Sequence, residues 1–95
     1  MQEAFMGIRL VYRAEVFKED GQYVAICPEL NVSSFGDSLE EARKSLREAI
    51  DLFLEECESM GSIEAVLRES GFSPDPADPK RWVSRVPLLV EQVTL

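Results

Sequence analysis

Residues 23–57 read "YVAICPELNVSSFGDSLEEARKSLREAIDLFLEEC", and the fold turns on them. Tyr23 to Cys27 are apolar on both faces of a strand, which predicts a central strand with a helix over one side. Pro28 ends that strand, because proline brings no donor to a ladder. A further strand over about 32–36 follows. Ser38 then opens a helix. In "SLEE" the Ser38 hydroxyl is placed to accept from the Glu41 amide while the Glu41 carboxylate reaches back, a capping box. Leu39, Ala42, Leu46, Ala49, Ile50, Phe53, Leu54 and Cys57 recur at three-to-four spacing and form one apolar stripe. Gly61 suits a helix end in the left-handed conformation.

Working upstream, Ile8, Leu10, Tyr12, Ala14 and Val16 alternate with Arg9, Arg13 and Glu15, the period of a strand. Asp20-Gly21 supplies a tight turn into Tyr23. Downstream, "SIEAVLRESGF" (62–72) reads as a short helix with Ile63, Val66 and Leu67 on one face and Gly71 at its end. "SPDPADPK" (73–80) reads as a stiff connector. "RWVSRVPLLVEQVTL" (81–95) reads as one strand or two, with a bulge near Glu91 and Gln92 where the alternation slips phase. The expected class is α+β: a three- to four-stranded, mainly antiparallel sheet packed against one long helix, in a single domain spanning 1–95.

The chain has 95 residues and a formal net charge of −8, from 18 acidic and 10 basic side chains. Such a surface repels a phosphate backbone, so direct nucleic-acid binding is not expected. It attracts a basic protein. There is no His, which removes the commonest general base and metal ligand. Two thiols with no secretion signal point to a reducing compartment, hence a cytoplasmic location, and no segment has membrane-spanning length.

Four features invite chemistry. The helix acids Glu40, Glu41, Glu48, Asp51, Glu55, Glu56 and Glu58 include enough carboxylates for an acid–base pair or a metal. Most fall off the apolar stripe, and Glu40–Lys44, Lys44–Glu48 and Arg47–Asp51 are spaced to pair along a solvated face. Cys27 lacks a base to make it a nucleophile, and Cys57 lies on the stripe, so both read as core residues. "SSFGDS" (33–38) has no lysine and carries Asp37, so a turn and N-cap fit it better than a phosphate cradle. Trp82, among Lys80, Arg81 and Arg85, reads as the closure of a small core. No catalytic residue, cofactor or metal is expected. Glu55, Glu56 and Glu58 stand apart: they occupy the negative end of the helix dipole, where cations are preferred, and a basic partner is a reason to keep them there. At the chain's end Leu88, Leu89, Val90 and Val93 belong to an aliphatic stretch with a single charge, a sticky strand that predicts a homodimer or higher oligomer.

"YVAICPEL" followed by "FGDSLEEARKSLREAIDLFLEE" resembles the HicB-like antitoxin family. The positions that carry the likeness are Tyr23, Ala25, Pro28 and Leu30 in the strand end, Gly36, Asp37, Ser38, Glu41 and Ala42 at the helix start, and Glu48, Ala49, Ile50, Phe53 and Leu54 along the helix. Asn31 stands where that family often has Gly. The resemblance covers about residues 8–58. It implies a degenerate ribonuclease-H-like core of β-β-β-α-(α)-β order, without catalytic carboxylates. It implies a non-enzymatic protein that binds and neutralises a small basic mRNA-cleaving toxin of the HicA type. The alternative is a homo-oligomeric structural or small-ligand-binding module with no toxin. After Gly71 the chain shows no helix pair suited to a DNA groove, so it resembles the short stand-alone members.

Overall fold

In the computed structural model, residues 7–84 and 89–95 are described. They build six strands and two helices in an α+β arrangement: β1 (Arg9–Val11), β2 (Glu15–Glu19), β3 (Gln22–Cys27), β4 (Val32–Gly36), α1 (Leu39–Ser59), α2 (Ile63–Glu69), β5 (Phe72–Asp75) and β6 (Asp78–Ser84). The strands form two three-stranded sheets, ordered β2-β3-β4 and β1-β6-β5.

The first sheet is an antiparallel meander. Asp20 and Gly21 both take positive φ, at 48° and 79°, so the β2–β3 turn is a two-residue hairpin with Glu19 opposite Gln22. β3 is the central strand, as its two apolar faces imply. Pro28 to Asn31 turn the chain into β4, with the Asn31 amide donating to the Pro28 carbonyl at 3.2 Å. Asn31 sits at φ 56°, a left-handed position that Asn tolerates better than most residues after Gly.

One face of this sheet receives α1. Ala25 and Cys27 on β3 are buried together with Ala42, Leu46, Ile50, Leu54 and Cys57 of the helix stripe. Each of the buried Leu and Ile side chains contributes about 1.5–3 kcal/mol. The helix start is pinned twice. The Ser38 hydroxyl accepts from the Glu41 amide at 3.1 Å, and Glu41 Oε1 accepts from the Asp37 amide at 3.3 Å. The reciprocal bond thus reaches one residue further back than the usual capping box. Gly36 lies against the first turn so closely that a Cβ there would stand 2.7 Å from the Ala42 nitrogen.

Several expectations are corrected. The single strand read from Ile8 to Val16 is two strands, broken at Tyr12–Ala14, where the chain leaves one sheet for the other. Ala14, one of the alternating apolar positions, is exposed there. The expected single sheet is accordingly two. "SPDPADPK" is a β-hairpin, with Asp75 and Asp78 each turning a side-chain oxygen to a backbone amide two residues on, Ala77 at 2.9 Å and Lys80 at 3.2 Å. Pro74 is tolerated because β5 is an outer strand, and the register shift falls at Pro74/Asp75, not near Glu91.

β6 lies between β5 and β1 and runs parallel to β1, with Trp82 beside Leu10. The Arg9 guanidinium pairs with Asp78 across this junction. Trp82 is buried with Ile8, Ile63, Leu67 and Phe72, closing the core as its sequence context implies. Gly61 and Gly71 hold the left-handed positions after α1 and α2. Residues 89–95 form no strand.

Candidate partner-binding surface

The carboxylates of α1 lie where the stripe placed them, around the outside. Glu55 and Glu56 are exposed and Glu58 is half-buried. The last turn holds no basic side chain, so these acids meet the helix's negative end without compensation. No ion pair joins Lys44 to Glu40 or Glu48 among the described residues, contrary to the spacing argument. Those carboxylates therefore remain open to solvent.

Leu52 is the residue that sequence reasoning missed. It is 67% exposed, on the side of α1 away from the stripe. Glu48 and Glu56 lie four residues before and after it and Glu55 three after, so all three are its surface neighbours. Leu52 thus presents an apolar side chain to solvent with carboxylates around it. The signal was present in the sequence: a lone Leu off the stripe with acids one turn away on either side.

The opposite flank of α1 is differently charged. Arg47, Asp51 and Arg43 act on the Tyr12 hydroxyl. Burial raises its pKa above the ordinary tyrosine value, with Arg47 opposing, Cys27 and Asp51 adding to the rise, and Arg43 opposing. Beside it, Arg13 reaches both Glu15 at 3.6 Å and Glu29 at 3.7 Å. The Cys27 thiol points to Glu29 Oε1 at 3.9 Å. Burial pushes that thiol up above the ordinary cysteine value, against the lowering effect of the Leu30 backbone, and the nearby Glu29 charge adds to the rise. Cys27 thus stays a protonated core residue, and Cys57 is likewise buried and unbridged.

The remaining candidates have structural roles. The Ser38 hydroxyl is occupied by its N-cap bond, and Gly36 is pressed on the helix, leaving no cradle in "SSFGDS". The Arg68 guanidinium stacks over Trp82 at 5.0 Å from the ring centre. A shallow open depression of about 190 Å³ beside Trp82 is lined by Ile8, Glu64, Pro74, Pro79 and Lys80. Among the described residues, no three Cys, Asp or Glu side chains are grouped to hold a metal ion. Nor is any helix among them long and apolar enough to cross a membrane. Of the aliphatic run at the chain's end, Leu89, Val90 and Val93 are exposed, and Leu88 lies outside the described residues.

Compared with models of protein families, with curated proteins and with solved structures, the chain matches none.

Proposed function

We propose that this chain is a non-enzymatic, HicB-like antitoxin that binds and masks a small basic mRNA-cleaving toxin of the HicA type. The observation that carries the reading is the α1 surface in which Leu52 is framed by Glu48, Glu55 and Glu56, with no cation in the last turn. A basic partner is steered to such a surface by charge and held by the apolar centre. The order of elements supports the same reading. An antiparallel meander followed by a long helix agrees with the β-β-β-α order that the resemblance implies, with the later strand β6 parallel to β1 in a second sheet. Gly36, Ser38 and Glu41, which carry part of the family resemblance, make the contacts that join β4 to α1.

The test is co-expression with a short basic protein encoded beside the chain's own gene. Growth arrest by that protein alone, reversed by this chain and not by a variant with Leu52→Glu, supports the reading. Arrest that the chain does not relieve, or neighbouring frames with no short basic protein, overturns it.

The second reading, a homo-oligomeric module without a toxin, is favoured by one observation. Leu89, Val90, Val93 and Leu95 are all exposed at the end of the described chain, apolar side chains that a second copy would cover.

A further inference from the structure

The free edge of β4 and the outer face of the meander form one surface with its own character. Phe17 is paired with Val24, and Val24 with Phe35. Directly paired residues share a face, so these three stand in a row across the sheet, on the side away from α1. Phe17 is 48% exposed and Phe35, at the outer end of the row, 63%.

β4 itself reads "VSSFG" and has β3 as its sole strand neighbour among the described residues. It lacks the features that keep an edge solitary: it has no charge, no proline and no register break. The other outer strands do carry them. β2 holds Glu15, Lys18 and Glu19, and β5 holds Pro74 with its register shift.

Charge selects the occupant of this edge. A basic partner finds carboxylates on α1 and none on β4. A second copy of the chain brings the same net −8 and is repelled over most surfaces, but β4 presents it with no charge. β4 is also self-complementary. Turned through a two-fold axis, its backbone donors and acceptors meet those of the same strand in antiparallel pairing.

We propose that β4 pairs antiparallel with β4 of a second copy, joining two meanders into one six-stranded sheet. The two Phe35 rings then lie opposite or diagonal to each other across the axis, within reach for aromatic contact. A strand pair alone falls short of the roughly 800 Å² per partner that a stable interface needs. α1 lies over β4, so pairing the edges also brings the two helices near each other, which adds surface, while their carboxylates add a repulsion around the uncharged strand pair that salt relieves. This assembly does not depend on the partner-binding reading, because it is measured on the chain alone.

Light scattering on the full chain at micromolar concentration tests it. The expected mass is twice that of one chain, or a multiple of that pair. Ser33→Glu with Phe35→Glu, both exposed on the outer face, should halve the mass with an unchanged circular dichroism spectrum. Leu89→Glu with Val93→Glu should leave the mass as it was. A monomeric wild type overturns the proposal. So does a β4 variant that keeps its mass, or an assembly lost only in the Leu89/Val93 variant, which assigns it to the chain's end. Amide exchange on the unmodified chain guards against a variant that fails to fold. The β4 amides directed away from β3 should exchange about tenfold more slowly at concentrations well above the dimer's dissociation constant than well below it. Concentration-independent exchange there overturns the proposal equally.

Discussion

Gly36 shows how much one residue can carry without any chemistry. A methyl group there meets the Ala42 nitrogen at 2.7 Å and the Glu41 carbonyl carbon at 2.8 Å, both backbone atoms that cannot swing aside. Gly36→Ala should therefore cost about 1–3 kcal/mol in urea unfolding, the range for overpacking; an unchanged midpoint would mean that α1 can slide. The sequence marks Gly36 as part of a motif, yet the contact itself joins strand to helix across space and leaves no periodic trace. Asp75 is a second such residue. It accepts from the Ala77 amide and from the Arg81 guanidinium at 2.8 Å, and these bonds, the backbone one foremost, hold its carboxyl below the ordinary aspartate value. A depressed folded-state pKa adds stability above the unfolded value, and that stability is lost as pH falls through the folded one. Asp75→Asn should lower stability at neutral pH and flatten its fall across the acid range, read as melting temperature against pH. A variant that falls as steeply as the wild type would place the acid sensitivity elsewhere.

At the scale of elements, α1 was legible because three independent signals agree: the Ser38 cap, the stripe and Gly61. The β2–β3 hairpin was legible because Asp20-Gly21 suits one turn type and the strand pattern flanks it. The break at Tyr12–Ala14 was not, because apolar alternation runs on through it while the chain changes sheets. The β5–β6 hairpin was hidden by its prolines, which argue against strand until an outer position makes them harmless. For the candidate surface, Glu55, Glu56 and Glu58 were legible through the helix dipole. Leu52 was missed, since an off-stripe Leu by itself is ordinary. The two observations yield a split expectation. Glu55, Glu56 and Glu58 changed together to Gln should slow association with a basic partner and leave dissociation little altered, because rim charges govern encounter. Leu52→Ala should raise the dissociation rate instead, at a cost of roughly 1–2 kcal/mol if it is the anchored centre. Surface plasmon resonance separates the two rates. A triple variant that associates as fast as wild type in low salt would show that the partner uses another face.

For the whole molecule, net charge and its placement divide the surface into two kinds. Seven of the 18 acidic side chains lie on α1, and the strand that offers an open ladder is neutral. The two proposed contacts must then respond to salt in opposite directions. A basic partner on α1 is drawn by attraction that ions screen, so its affinity should fall as salt rises. Two copies meeting at β4 each carry −8 and repel through everything except the contact itself, so screening should strengthen their association. The apolar part of the β4 contact, centred on Phe35, adds to this trend with excluded salts such as sulfate. Raising sodium chloride from about one-twentieth molar to half molar shortens the screening length from roughly 14 Å to 4 Å, enough to remove repulsion between the bodies of two small domains. Sedimentation equilibrium at both concentrations should give a tighter dimer in high salt, while titration with a basic partner gives a weaker complex. If the dimer loosened as salt rose, an ion pair would lie at its centre. That outcome would exclude the uncharged β4 edge and point to a surface carrying both signs, such as Arg13 with Glu15 and Glu29.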